Sequence, residues 1–265
     1  MVTTAAIREH YDRFAFLYHT FWGDHIHHGL FESPGESPAR AQLRMLEFCA
    51  SLCDIHGGES VLDVGCGHGG TCVFLAGTFN CAVRGLTISG VQANRARKNT
   101  ARAGLSTRVA IEVGNADEYL FPSETFDIVW TMESSEHFRD KLAFIRNASR
   151  SLRSSGRLLI AAWTGSMNRA RVRAVAQEFL CPELWSADQY SEAAISAGLH
   201  IASRVDLTAK VIRTWEICRR RTLLARPVAI ALPRAAREFA DSIETILDAY
   251  RSGDLTYTVL VANKS

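Results

Sequence analysis

Two rhythms of hydrophobic and polar residues run along this chain. Over residues 5–22, Ile7, Tyr11, Phe14, Tyr18, Phe21 and Trp22 recur at spacings of three and four, which predicts a helix with one apolar face, ended by Gly23. The stretch ESPGESP (32–38) reads as a loop, and a second helix is expected over 38–55, closed by Gly57 and Gly58. From residue 60 the rhythm changes. SVLDVG (60–65), CAVRGLTI (81–88), RVAIEVG (108–114), FDIVWTM (126–132) and GRLLIAAW (156–163) are short apolar runs, with helical stretches 69–79, 89–103 and 137–153 between them. Such alternation predicts an α/β fold, a mainly parallel sheet with helices on both faces.

After residue 163 the alternation loosens. Residues 165–197 read as helical, HIASRVDL (200–207) as a strand, 208–252 as mostly helical, and LTYTVLVAN (255–263) alternates like a final strand. The helical piece before that strand is placed to form a lid over the ligand edge of the sheet. We therefore expect a single domain in three parts: an N-terminal helical cap (1–55), a cofactor-binding core (56–163), and a substrate lid with the final strands (164–265).

Composition narrows the partners. The chain has 265 residues, 47% hydrophobic, enough for a sizeable core, and its net charge of +2 gives no reason to expect nucleic acid. The run Arg219, Arg220, Arg221 and Arg226 reads as a solvated helix face, or more sharply as an anion site near a substrate pocket. No apolar run reaches the roughly 18 residues that span a bilayer, and the N-terminus lacks the apolar core of a signal peptide. Seven cysteines without C-x-x-C spacing suggest a reduced, cytoplasmic protein. His25, His27 and His28 cluster, but the spacing matches no familiar zinc site and no metal is expected. A homo-oligomer is compatible with the sequence.

The chemistry begins at VLDVGCGHGG, after the first strand. Gly65, Gly67 and Gly70 fit G-x-G-x-x-G, where missing Cβ atoms let a ligand approach the backbone. A nicotinamide dinucleotide would also need an acid about 20 residues on for its ribose, and RGLTISGVQ (84–92) has none. A carboxylate before the glycines, Asp63, suits a ligand with a cationic end. S-adenosylmethionine, with its ammonium and sulfonium, fits that pattern better.

VLDVGCGHGG resembles motif I of class I S-adenosylmethionine-dependent methyltransferases. YDRFAFLYHTFWGDHIHHGLF (11–31), LTISGVQANRA (86–96), NADEYLFPSETFDIVWTMESSEH (115–137) and DAYRSGDLTYTVLVANK (248–264) resemble the γ-tocopherol methyltransferase-like group, which acts on apolar or prenylated small molecules. The resemblance covers almost the whole chain in order. It implies a Rossmann-like, seven-stranded class I methyltransferase fold with an N-terminal helical flap and a helical lid inserted before the last strands.

The resemblance also implies roles. Asp63 contacts the methionine end of the cofactor, with Gly65, Cys66 and Gly67 beneath it. Thr87 and Ile88 stand where many relatives keep a ribose acid, Thr87 and Gln92 match the group's IT-x-SPVQ motif, and Gly90 replaces its proline. Asn115 precedes Ala116 and Asp117, the pair that brackets adenine. Met132 delivers the fourth strand to the cofactor edge. The first helix becomes a flap carrying Tyr11, and His27 completes the cofactor pocket. Glu133 points toward the transferred methyl group. His137, read as one turn into the next helix, reaches the same cleft as a base or a positioning group, paired with Tyr18 as in phosphoethanolamine methyltransferases. Glu136 is read as a solvated first-turn acid.

Trp22, Trp163, Trp185, Tyr190 and Trp215 are the expected apolar walls for the acceptor, and Arg213 with Arg219–Arg221 leaves room for an anionic group on it. The expected activity is methyl transfer from S-adenosylmethionine, yielding S-adenosylhomocysteine, to a hydrophobic small molecule: an isoprenoid, prenylated aromatic or other natural product, with carbon ahead of oxygen or nitrogen as the acceptor atom. The alternatives are N- or O-methylation of an alkaloid, aromatic or amine, and, further away, an NAD-dependent oxidoreductase or a non-catalytic cofactor-binding protein.

Overall fold

The structure, a computed structural model, describes residues 2–9, 11–12, 25–225 and 234–265. Its seven strands are β1 (Ser60–Val64), β2 (Ala82–Thr87), β3 (Val109–Val113), β4 (Phe126–Met132), β5 (Leu152–Gly165), β6 (Leu199–Asp206) and β7 (Leu255–Lys264). They form one sheet in the order β3-β2-β1-β4-β5-β7-β6. Strands β1 to β5 pair in parallel, and β7 runs antiparallel between β5 and β6. This is the expected Rossmann-like class I methyltransferase architecture.

The helices are α1 (Pro38–Leu52), α2 (Gly70–Phe79), α3 (Gly90–Arg102), α4 (Lys141–Ser151), α5 (Ala170–Glu178), α6 (Ala187–Ser196), α7 (Thr208–Val211), α8 (Arg213–Ala225) and α9 (Arg234–Arg251). Strand alternation divides the core between two faces. Val61, Ile128, Trp130, Leu159 and Ala161 pack toward α1, α2 and α5, whereas Leu62, Val64, Val129, Leu158 and Ile160 pack toward α4 and α6. Burial on both sides explains why these strands read as continuous apolar runs.

The helical segment α7 to α9 lies between β6 and β7, and α9 packs on α5 and α8. Residues 4–9, 11 and 12 are helical, as expected. The rest of that first helix, with Phe14, Tyr18, Phe21 and Trp22, lies outside the described residues. Among the described residues no helix is long and apolar enough to cross a membrane.

Two expectations change. The stretch 165–197 is two helices, parted by a loop containing Pro182. More consequential is the segment after β4. No α-helix starts at 137; Ser135–His137 form a single 3-10 turn, and α4 starts at Lys141, capped by the Asp140 side chain accepting from Ala143 N. The chain leaves β4 through Glu133 at a positive φ of 51°, so the residues that follow cannot continue straight into a helix.

Trp130, fully buried at the centre of the sheet, should be among the most costly residues to truncate. Trp130→Ala should lose about 3–5 kcal/mol of stability in urea denaturation; a loss below about 1 kcal/mol would contradict this packing.

Candidate active site

The order of strands reverses between β1 and β4, so the loops leaving these neighbours diverge and open a crevice at their carboxyl ends. At its base two loops touch. Gly65 has φ +84°, and a Cβ there would stand 2.2 Å from Ser134 Cβ. Ser134 Oγ donates to the Val64 carbonyl at 2.7 Å, tying the exit of β4 to that of β1. Gly67, at φ +50°, has no atom closer than Ile26 Cδ1 at 4.0 Å to its missing Cβ, so it leaves open space for a ligand.

Three connected hollows meet here. The main cleft holds about 750 Å³ of empty space, mouth included, and is lined by Tyr11, Gly65, Gly67, Thr87, Ile88, Gln92, Asn115, Ala116, Asp117, Met132, Glu133 and His137. Thr87 Oγ1 donates to Gln92 Oε1 at 2.9 Å, which fixes the glutamine amide within the wall. Asp117 does two jobs: it faces the cleft, and its Oδ1 accepts from Arg139 N at 3.0 Å and Asp140 N at 3.4 Å, capping the loop before α4. From Gly65, Gly67 and Met132 the cleft continues into a side pocket with Asp63, Cys66, His25, His27 and His68. Burial pushes the Asp63 carboxyl up to about 7, against the opposing S–H bond from Cys72.

The inner pocket shares Tyr11, Ile26, Glu133 and His137 with the main cleft and runs beneath Trp163, Phe179 and Trp215, with His27, His28 and Glu136 in its wall. Of the four described residues expected to wall an acceptor, Trp163 and Trp215 line this pocket. Trp185 and Tyr190 do not. Helix α6 lies on the opposite face of the sheet, where Trp185 packs on Tyr190 and the Tyr190 hydroxyl meets Ser135 Oγ at 2.8 Å, supporting the turn from behind. Cys66 lines the side pocket with Asp63, and its sulfur lies under Gly85 beside Cys72. Of the basic residues expected near an acceptor, Arg213 is bound to the Pro34 carbonyl and lies over Phe31, and Arg219 pairs with Glu244 at 2.6 Å.

Glu133 is the most heavily bonded group in the site. Its carboxylate accepts from His28 N at 2.7 Å, His28 Nδ1 at 2.8 Å, Tyr257 OH at 2.9 Å and Trp163 Nε1 at 3.2 Å. Burial alone would raise its pKa, but the polar His28 ring and the two hydrogen bonds from His28, with the nearby His27 ring, outweigh it and hold the carboxyl below its ordinary value. His28 Nε2 in turn accepts from Trp215 Nε1 at 2.6 Å, so this ring carries its proton on Nδ1. Neither His28 nor Tyr257 was singled out for this role from sequence. The HIHHG run offered His28, but nothing local distinguished it from its neighbours.

Glu136 reverses its expected role. An α-helical start would have turned it to solvent; the tighter 3-10 turn points it inward. It is buried, Oε1 accepts from Trp163 N at 2.7 Å, and Oε2 has no partner. Burial, aided by the neighbouring Glu133 charge and opposed by the Trp163 bond, pushes its carboxyl up to about 8. Lys141 holds the turn from below, donating to the Phe138 carbonyl at 2.8 Å and the Glu136 carbonyl at 3.3 Å. His137 Nε2 meets the hydroxyl of Tyr11 at 2.7 Å, and Nδ1 donates to the Leu180 carbonyl at 3.3 Å. Tyr11 therefore supplies a phenol to His137; Tyr18, the expected partner, lies outside the described residues, as does Trp22.

The chain belongs to the mycolic acid cyclopropane synthetase family, which it matches over residues 2–253. It is 30% identical to 27-O-demethylrifamycin SV methyltransferase of Amycolatopsis mediterranei (strain S699), across 99% of this chain and 98% of that one. It is 28% identical to the probable chloroplastic tocopherol O-methyltransferase of Oryza sativa subsp. japonica, across 96% of this chain and 76% of that one. The solved structure of cyclopropane synthase MmaA2 from Mycobacterium tuberculosis matches with a TM-score of 0.87 at 18% identity, over 98% of each chain, which shows the shared fold. The protein is therefore an S-adenosylmethionine-dependent methyltransferase, as VLDVGCGHGG and the later motifs led us to expect. The open floor at Gly67 and the buried carboxylate of Asp63 are compatible with that cofactor.

Two measurements probe this electrostatic arrangement. Glu133→Ala leaves four buried donors without their acceptor and should cost about 3–5 kcal/mol in chemical denaturation; a cost near zero would show that the network is not formed. Glu136 behaves oppositely. Its folded pKa, about 8, lies above the ordinary 4.5, so its contribution to stability is present in full below 4.5 and lost as pH rises through 8. Glu136→Gln should therefore gain melting temperature relative to the parent between pH 6 and pH 9, and parallel curves would refute the buried, protonated carboxyl.

Proposed function

We propose that this enzyme methylates a hydrophobic small molecule, an isoprenoid, prenylated aromatic or other natural product, held in the inner pocket. The observation that carries the reading is the junction of hollows: a pocket walled by Trp163, Phe179 and Trp215 opens onto the cofactor cleft at Tyr11, Glu133 and His137. When bound, S-adenosylmethionine supplies an electrophilic methyl group. The protein's tasks are then to align the acceptor and keep water out.

The adenosine would lie along Thr87, Ile88, Gln92, Asn115, Ala116 and Asp117. With Gln92 Oε1 held by Thr87, the glutamine amide nitrogen is the group left to meet a ribose hydroxyl. The sulfonium would sit over Gly65, Gly67 and Met132, and the methionine ammonium would face Asp63, with His27 closing that end. Glu133 works by holding His28, Trp163 and Tyr257 in place, and Tyr11 with His137 closes the passage between cleft and pocket. We assign residues 1–55 to a cap, 56–163 to the cofactor core, and 164–265 to the acceptor side with the final strands. The seven thiols, none in a disulfide, support a reducing compartment such as the cytoplasm.

Calorimetry with S-adenosylhomocysteine tests the core of this reading. Binding should tighten between pH 6 and pH 8 as Asp63 ionises near 7 and meets the ligand's ammonium. Asp63→Asn should weaken binding about 10- to 100-fold, the range of a charge-assisted hydrogen bond, and flatten the pH dependence. Absence of binding by the parent protein would end the proposal.

A further inference from the structure

The inner pocket sorts its hydrogen-bonding groups unevenly. The donors in and behind its wall already have acceptors: Trp163 Nε1 and Tyr257 OH are bound to Glu133, Trp215 Nε1 to His28, and His28 Nδ1 to Glu133. Two buried side-chain atoms among its lining residues have no partner, His27 Nε2 and Glu136 Oε2. The character of the first is fixed by geometry. His27 Nδ1 lies 2.8 Å from the His28 carbonyl, which can only accept, so the proton sits on Nδ1 and Nε2 presents a lone pair. Burial lowers the His27 pKa, which keeps that lone pair bare. The second atom belongs to a carboxyl that burial holds protonated near neutral pH, so it can donate. Buried polar atoms left unmatched are costly, and a complementary ligand removes that cost. Among the described residues no lysine or arginine lines the pocket, and the Glu133 carboxylate does.

We propose that the acceptor is a hydroxyl compound, a phenol or alcohol on a hydrophobic skeleton, whose O–H donates to His27 Nε2 while its oxygen accepts from Glu136. This assignment rests on the methyltransferase reading above and departs from the expectation that carbon is methylated. A hydroxyl is matched to this pair because it donates and accepts at one atom, which an alkene carbon cannot do. A diphosphate or carboxylate on the reacting end is disfavoured, since it would be buried against the Glu133 carboxylate.

In the transfer step the acceptor oxygen forms a bond to the methyl carbon with one of its lone pairs. The carbon–sulfur bond breaks and its electron pair stays on sulfur, while the O–H proton passes to His27 Nε2. The positive charge that begins on the sulfonium ends on the His27 imidazolium, in the field of the Glu133 carboxylate, which favours a charged His27. His27 would then be a catalytic residue, and Glu136 would orient the oxygen.

The test uses the whole chain and a methyl-labelled donor. The acceptor panel holds prenylated phenols, apolar polyketide alcohols, the methyl ethers of both, prenyl diphosphates and amines of the same skeletons. Label should appear on oxygen, located by nuclear magnetic resonance, with ethers and diphosphates unreactive. On the best acceptor, His27→Asn should lower kcat about 100-fold or more, and Glu136→Gln should raise KM about 10-fold or more. If His27→Asn does not fold, His27→Gln takes its place, and the labelling result on the parent protein stands without either. Label on carbon or nitrogen, turnover of a diphosphate as fast as its alcohol, or a kcat within threefold of the parent for the His27 variant would overturn the inference. So would S-adenosylhomocysteine binding with no hydroxyl methylated. Loss of S-adenosylhomocysteine binding altogether would instead remove the methyltransferase reading beneath it.

Discussion

A buried carboxylate with four donors organises this site. Glu133 cannot be left alone in an apolar interior, because an uncompensated charge there costs several kcal/mol. Its donors come from three parts of the chain: His28 before α1, Trp163 on β5 and Tyr257 on β7. Through His28 the same network reaches Trp215 on α8, and Tyr250 on α9 at 3.3 Å. Satisfying one charge therefore fixes the N-terminal turn, the sheet and the helical segment before the last strand against one another. The positive φ of Glu133 is the local conformation that this arrangement holds in place.

That constraint also divides the chemistry. A carboxylate with four hydrogen bonds and a lowered pKa is a poor base and has little capacity left for an acceptor. Its neighbour three residues on has the opposite character: a raised pKa and a buried, unpartnered oxygen. The pair shows how one low-dielectric environment pushes two glutamates apart, one ionised and structural, the other protonated and available. His27 and His28 separate in the same way. Adjacent in sequence and both buried, one has every ring nitrogen bonded and the other keeps a bare lone pair.

Much of the fold was legible along the chain. Each of the seven apolar runs became a strand, since β-branched stretches closed by glycine or a turn have few other ways to bury themselves. The main cleft was legible too, because Gly65, Gly67, Thr87, Gln92 and Asp117 lie at or just after strand ends, so their positions follow directly from the strands before them. What failed was orientation beyond one turn. Trp185 and Tyr190 read as acceptor walls because they are aromatic and lie in the right stretch, but α6 and the residues just before it lie on the far face of the sheet. Glu136 read as solvated because an α-helical period was assumed where the chain makes a 3-10 turn.

The sequence by itself determined the order of strands and helices, the glycine turn with its preceding acid, and the methyltransferase class. Those properties depend on periodicity and on short motifs whose residues are neighbours in the chain. Tertiary structure alone decided which acid is a four-fold-bonded anchor and which keeps an unpartnered oxygen, and which histidine keeps a lone pair. The partners that settle those questions lie 105, 30 and 124 residues from Glu133. Protonation and hydrogen bonding in a buried site depend on what packs around a group in space, and no local pattern in the chain carries that information.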